Sequence, residues 1–436
     1  MDTVEAGVSR VTITPPVGMY LIGFSGRHGG SRGVRDDLYA TALAVSDGCA
    51  EAVVVSCDVL MNHPDLVGRV RHDASERTGV PGENVMFCAT HTHSGPVTHT
   101  CPDSPPMYRA YVDNLAFQLA GLIEMAHERL APATFGFNRG EAHIGINRRL
   151  TRPDGTTVIA ANPEGPVDPE VGVLRVDTAD GQPLAVVVNY ACHAVVLGAG
   201  SNVISSDWPG AMRCVVEQVT GATCLFVQGA GADINPWPGE PTDREDVLER
   251  LGTEVGGEAI AVWAGIDPQP AHKVATRRER LLVPLLRSSQ GADELPALVE
   301  MAGAGDGLTR DELQARLRES TPWTAEIVGE GDARRAAVEL QAIRIGDVAV
   351  VSAAGEIFVK TGLAVKRRSA TPDTMFAAYT NGSVGYFPLP EDYPRGGYEV
   401  DESYLFYQLP APVAPEAAGL IEEGAVRLLN EVAAPE

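Results

Sequence analysis

Val85-Met86-Phe87-Cys88-Ala89-Thr90-His91-Thr92-His93-Ser94-Gly95-Pro96 is an apolar run that ends in two imidazoles two residues apart, followed by a turn. The segment from Asn84 to Cys88 reads as a buried strand. Ser-Gly-Pro then turns the chain away and leaves both histidines at the strand end, the place where a metal-dependent hydrolase presents its ligands. If the strand continued, period-two spacing would aim both rings at one face. Two histidines hydrogen-bonded within a loop would give the same residues, so the motif acquires meaning only through distant partners.

The same stretch closes a longer pattern that recurs. In the first copy, Ala40-Thr41-Ala42-Leu43-Ala44-Val45 leads through Asp47-Gly48 to Val53-Val54-Val55-Ser56, then a helix, then Val85 to Thr90. In the second, Leu340-Gln341-Ala342-Ile343-Arg344-Ile345 leads through Gly346-Asp347 to Ala349-Val350-Val351-Ser352, then a helix, then Thr374-Met375-Phe376-Ala377-Ala378-Tyr379. Each reads strand, turn, strand, helix, strand, loop. Packed about a pseudo-two-fold axis, the copies would bring His91, Asp58, Glu356 and the loop from Asn381 to Tyr386 together. Chance similarity between generic buried hairpins is the competing explanation.

Strand-like and helical runs alternate through most of the chain, which favours an α/β fold. Further strands are expected at 184–191, 223–227 and 281–286. Tyr108, Val112, Leu115, Leu119, Leu122 and Ala126 recur at helical spacing and predict a core-packing helix from Pro106 to Leu130. Thr242 and Glu245 have capping-box spacing ahead of Val247, Leu248, Leu251 and Val255. Asp207 stands as N-cap to a helix with Pro209 in its first turn, and a terminal helix is expected from Glu416 to Val432. The segment 268–337 reads as a variable insertion, with a basic strand-like run at 277–287 and charged helices at 293–301 and 309–319: a lid, an oligomer contact or, most simply, a solvated elaboration.

Composition narrows the function. A chain of 436 residues, 44% hydrophobic, can bury a substantial core. A formal net charge of −24 argues against nucleic acid or an anionic membrane surface as partner, because phosphate binding draws on Lys and Arg. No stretch reaches the roughly 18 uninterrupted apolar residues of a membrane span, and the acidic N-terminus has no secretory apolar region. Most of the seven cysteines sit in apolar runs and none forms Cys-x-x-Cys, as in a reducing compartment. These features predict a cytoplasmic protein with a small-molecule substrate and leave homo-oligomer formation open.

Four places supply residues suited to a metal. They are His91 with His93; His193, which closes the apolar run Val186 to Cys192; Glu356 in Ala353-Ala354-Gly355-Glu356; and the loop carrying Tyr386, Tyr393 and Tyr398. Each has an ordinary alternative: a satisfied core histidine, a carboxylate at a helix start, packed surface aromatics.

Taken in order, Thr90 to Pro96, Asn189-Tyr190-Ala191-Cys192-His193, Ile204-Ser205-Ser206-Asp207, Phe226-Val227-Gln228 to Asp233-Ile234-Asn235-Pro236, Gly355-Glu356, then Tyr386 and Tyr398 resemble the neutral/alkaline ceramidase family. The resemblance runs from about Gly7 to about Tyr398. It implies a ceramidase-like catalytic domain of layered mixed sheets flanked by helices, with one zinc ion held by His91, His193, Glu356 and Tyr386. It places His93 beside the metal-bound water, Arg148 of Asn147-Arg148 at the substrate, and Tyr398 on the carbonyl oxygen of the scissile amide. Asp58 and Asp207 stand in similar runs and are expected to support these groups or to cap helices. Zinc with two neutral imidazoles and a carboxylate lowers the pKa of water toward about 7 and polarises an amide carbonyl, while Tyr and Arg donate to the developing oxyanion.

Two departures bear on the substrate. Where the family carries Gly-Asp-Val-Ser-Pro, this chain has Ala232-Asp233-Ile234-Asn235-Pro236, so no serine nucleophile exists at that position. Asn235 is expected in a turn or on the substrate. The β-domain that follows the catalytic domain in ceramide-hydrolysing relatives is not expected after Tyr398, so residues 1–436 read as one catalytic domain. The expectation is therefore a zinc-dependent amidohydrolase acting on an N-acyl compound smaller than ceramide. The alternatives are an ester or lactone hydrolase with the same site, or an inactive metal-containing binding protein. A TIM-barrel amidohydrolase would also start from His-x-His, but its later metal-binding lysine and strand-end aspartate cannot be placed.

Overall fold

The structure, a computed structural model, describes residues 3–24, 26–100, 104–237, 244–286 and 325–434. Its largest element is a 9-stranded sheet. The strands run in the order Thr223–Gln228, Pro183–Tyr190, Glu170–Thr178, Ala131–Glu141, Glu5–Thr12, Tyr39–Ser46, Glu51–Cys57 and Val85–Ala89, with Gln269–Pro270 paired beside Ala131–Glu141. The sheet curls, so Thr223–Gln228 at one end returns to pack against Glu51–Cys57 and Val85–Ala89 at the other. There the Ser56 hydroxyl donates to the Phe226 carbonyl at 2.6 Å. A 5-stranded sheet holds Val274–Pro284, Arg335–Ile345, Val348–Ala353 and Asp373–Ala377 in that order, with Ile327–Val328 paired to Arg335–Ile345.

The internal repeat is present down to its register. In the first copy Leu43 faces Val54 across an antiparallel hairpin, and Val54 faces Met86 in a parallel pair. In the second, Ile343 faces Val350 and Val350 faces Met375. A helix bridges each parallel pair, Pro64–Thr78 in one and Val359–Arg368 in the other. Alternation sorts the side chains of both copies in the same way. Leu43, Val45, Val54, Met86 and Cys88 share one core with Ile343, Ile345, Val350, Met375 and Ala377. The intervening residues, such as Ala42, Val55 and Phe87 or Ala342, Val351 and Phe376, belong to the core that the helices cover.

Pro106–His127 lies on the first sheet with Pro64–Thr78 packed beside it, and Ala417–Ala433 lies on the second, each burying its apolar stripe. Trp208–Thr220 starts where Asp207 accepts from the Trp208 amide at 2.9 Å, as the N-cap reading required. Arg244–Ala264 packs beside it; Thr242 lies outside the described residues. Among the described residues no helix is long and apolar enough to cross a membrane.

Part of the segment 268–337 belongs to the second sheet. Val274–Pro284 pairs along its whole length with Arg335–Ile345 and is a sheet strand, not an elaboration. It reads as basic because Arg277, Arg278 and Arg280 are exposed along it. The helices expected at 293–301 and 309–319 lie outside the described residues.

Candidate metal centre

Three parallel strand pairs end at one rim, and Gln228 fastens their loops. Its amide donates to the Cys192 carbonyl at 2.7 Å and the Thr90 carbonyl at 3.4 Å, its side-chain oxygen accepts from the Cys192 amide, and its own carbonyl accepts from Ala378. The segments carrying His91, His193 and Tyr379 therefore leave the sheets within reach of one another. The first and second copies also meet directly: the Phe87 amide donates to Asn381 Oδ1 at 2.7 Å, and the Asn381 amide returns a bond to the Phe87 carbonyl.

Past the strand ends the backbone turns left-handed at His91 (φ 62°) and at Tyr379 (φ 54°), a conformation that costs a non-glycine residue of order 1 kcal/mol. Their rings stack with centroids 3.9 Å apart. Buried hydrogen bonds hold both in place, since the His91 amide donates to Val59 and the Tyr379 amide to Gly355.

A backbone carbonyl fixes the outer nitrogen of each histidine. His91 Nδ1 lies 2.8 Å from the Leu60 carbonyl, His193 Nδ1 2.6 Å from that of Gly231, and His93 Nδ1 2.9 Å from that of Gly23. Each Nδ1 must carry a proton to donate, so each Nε2 presents a lone pair. The three lone pairs converge: His91 and His93 Nε2 are 3.2 Å apart, and one ligand atom from each of His91, His93 and His193 lies within 4.8 Å of the others. Gly23, at φ 115°, is needed for the close approach, because a Cβ there would stand 2.6 Å from His93 Nδ1.

Glu356 completes the cluster. Oε1 lies 3.7 Å from His91 Nε2 and accepts from the Tyr407 hydroxyl at 2.5 Å; Oε2 lies 3.6 Å from His193 Nε2 and has no hydrogen-bond partner. A buried carboxylate oxygen without a donor, facing imidazole lone pairs, is a place for a cation. The electrostatics agree. Burial lowers His91 to about 3 and holds His93 and His193 well below the ordinary histidine value, so all three are neutral, while burial pushes Glu356 up to about 7. A cation would reverse the penalty on Glu356.

The other expected residues also assemble here. Arg148 Nη2 donates to the Tyr386 hydroxyl at 3.1 Å, and Nη1 lies 3.1 Å from His193 Nε2 and 3.3 Å from Asn235 Oδ1. Tyr398 meets Tyr386 edge to face, ring centroids 5.6 Å apart. Burial raises both phenols, so both hydroxyls stay protonated. Glu356 and Tyr386 open two short strands paired in parallel register, which sets them side by side.

Two expectations need correction. Asp58 does not join the cluster; it accepts from Arg213 at 2.7 and 3.1 Å and from the Tyr39 amide, as a buried structural ion pair. Asn235 is not in a turn but pairs with Ile146 in the strand Ile234–Pro236.

Sequence reading misses Glu399 and Tyr407, and it holds Gln228 only within the run Phe226-Val227-Gln228, without a role. Glu399 is buried and binds both Arg148 Nε, at 2.9 Å, and Arg149. Its adjacency to Tyr398 was the available signal. Tyr407 carried none, since the turn of chain between it and Tyr398 decides that it faces Glu356.

The neutral/alkaline non-lysosomal ceramidase N-terminal model matches residues 4–229, just over half of the chain. A neutral ceramidase of Mycobacterium tuberculosis is 25% identical over 386 residues, covering 73% of this chain and 60% of the relative. One from Pseudomonas aeruginosa is 23% identical over 478 residues, 90% of this chain and 68% of the relative. The chain thus spans only part of its relatives' lengths. Among solved structures, a ceramidase complexed with C2 superposes with a TM-score of 0.75 at 19% identity, covering 98% of this chain and 75% of the other. The Pseudomonas aeruginosa neutral ceramidase gives 0.73 at 20% identity, with 98% and 74% coverage. The chain belongs to the neutral/alkaline non-lysosomal ceramidase family.

Proposed function

We propose that this protein is a zinc-dependent hydrolase that cleaves the amide bond of an N-acyl compound. The observation that carries the reading is the unpartnered Glu356 Oε2 facing the lone pairs of His91, His93 and His193. Kinship with the neutral ceramidases supports amide hydrolysis. His91, His193, Glu356 and Tyr386 would hold the metal. A zinc ion there supplies a Lewis acid that polarises a carbonyl and lowers the pKa of water.

His93, neutral and with Nδ1–H committed to the Gly23 carbonyl, is able to take a proton at Nε2 and return it to a leaving amine. Arg148, anchored by Glu399, and the protonated hydroxyl of Tyr398 are donors for a developing oxyanion. Asn235, where the family serine stands, has no nucleophilic oxygen; its carbonyl oxygen holds Arg148 and its amide is available to a substrate. A small soluble substrate, rather than ceramide itself, is part of the proposal, as is a cytoplasmic location, supported by the free state of every described cysteine.

The test is turnover of a panel of N-acyl amides, esters and lactones before and after chelation. Amide hydrolysis that chelation abolishes and zinc restores supports the reading. Turnover confined to esters or lactones replaces the amide with another scissile bond, and bound zinc with no turnover makes the chain a binding protein.

A further inference from the structure

A second cluster of metal-ligating groups stands on the loops that support the first. His63 caps the helix Pro64–Thr78, Pro64 fixes the first helical residue, and Asp65 follows in the first turn. His99 comes from the loop beyond Pro96. Its ring stacks on His63 with centroids 3.9 Å apart and planes 23° from parallel. Both imidazoles turn an edge to one carboxylate oxygen: His63 Nδ1 and His99 Nδ1 are each 3.6 Å from Asp65 Oδ2.

That spacing is too long for a hydrogen bond. It is close to the roughly 3.4 Å edge of a tetrahedron whose ligands sit about 2.1 Å from a metal. It also repeats the 3.6 and 3.7 Å separations between Glu356 and its histidines. The two loops are tied together before any ion arrives, and the His99 ring turns off its stack on His63 for both Nδ1 lone pairs to meet one ion. The His63 amide donates to Thr98 Oγ1 at 3.2 Å, and the Thr98 hydroxyl donates to the Met61 carbonyl at 2.8 Å, which buttons the two loops together. Access is open, since Asp65 is 76% exposed while the His63 side chain is 2% exposed and anchors the floor.

We propose that His63, Asp65 and His99 form a second site for a borderline divalent transition metal such as Zn2+ or Co2+. The two imidazoles and one carboxylate leave a coordination position to water. Binding at His63 Nδ1 displaces the 3.2 Å capping bond from the Asp65 amide, and a cation at a helix N-terminus opposes the dipole. The site is therefore weaker than the His91 centre. The proposal does not depend on the function assigned to that centre.

Equilibrium dialysis of the full chain against Zn2+, followed by elemental analysis, tests it. Two equivalents are expected in the wild type at about 100 µM free Zn2+, and His99→Ala and Asp65→Asn should each lose one of them. In a His193→Ala/Glu356→Ala background the remaining equivalent should persist and weaken at least tenfold on adding His99→Ala. Co2+ loaded into that background should give visible d–d bands that His99→Ala removes. A thermal melt in chelator checks that the single variants remain folded. Unchanged zinc content in both His99→Ala and Asp65→Asn, or one equivalent in the wild type that His193→Ala alone abolishes, overturns the proposal.

Discussion

The two copies of the repeat share their strand order, register and helix, and differ in what leaves the strand ends. Counted from the matched strands, the position that is Leu60 in the first copy is Glu356 in the second. Leu60 offers only its carbonyl, which orients His91, while Glu356 offers a carboxylate to the space between His91 and His193. His91 and Tyr379, both left-handed, stack across the junction, and the first brings an imidazole to the cluster where the second brings a phenol. A symmetric frame thus carries an asymmetric site, and neither copy holds enough ligands alone.

The most damaging substitution should be the one that makes the copies alike. Glu356→Leu is expected to retain the fold and to lose bound zinc together with at least about 10³ in kcat/KM for any amide turned over. Elemental analysis and steady-state kinetics check it, and a variant that keeps its zinc would show that the asymmetry is incidental. Next in size is Glu399→Gln. It leaves Arg148 and Arg149 buried without their shared carboxylate and should cost about 3–5 kcal/mol in denaturant unfolding.

A milder change acts through Glu356. Tyr407→Phe removes the donor to Oε1 and should weaken zinc binding by about 10–100-fold in a chelator competition, with the stoichiometry unchanged. The smallest effect tests the seam between copies, where Arg71 of the first binds Glu339 of the second at 2.8 Å and Asn381 joins them. Burial raises the Glu339 carboxyl, but Arg71 and Arg278 outweigh it and hold the group below its ordinary 4.5. Its ionised form therefore stabilises the fold above that value, and the contribution is lost as pH falls through the lowered one. The stability difference between wild type and Glu339→Gln should be full at pH 7 and shrink below about pH 4.5 in urea titrations. A constant difference would remove the ion pair from the seam's energetics.

The sequence reveals the frame better than the site's supports. Leu43, Val54 and Met86 alternate with Ala42, Val55 and Phe87, and the matching set recurs from Ile343 to Met375, so both register and repeat are legible. The strands Ala131–Glu141 and Thr157–Asn162 escape notice because much of each is exposed or half-exposed, and Gly145–Thr151 because the residues it buries, Asn147, Arg148 and Arg149, are polar. Among site residues, His91, His193, Glu356 and Tyr386 stand at ends of recognisable strands or motifs. Glu399 and Tyr407 act through long-range contacts to Arg148, Arg149 and Glu356, and Gln228 through bonds to the loops of Cys192 and Thr90, which no local pattern encodes.

The central claim is that the two halves of the repeat, with His193, enclose one zinc. Crystals of the zinc-loaded protein measured just above and just below the zinc absorption edge test it most directly. The account predicts a strong anomalous peak about 2.0–2.2 Å from His91 Nε2, His193 Nε2 and a Glu356 oxygen, present above the edge and absent below it. A zinc-replete protein with no such peak among these three residues, or with its strongest peak at His63 and His99, would contradict it.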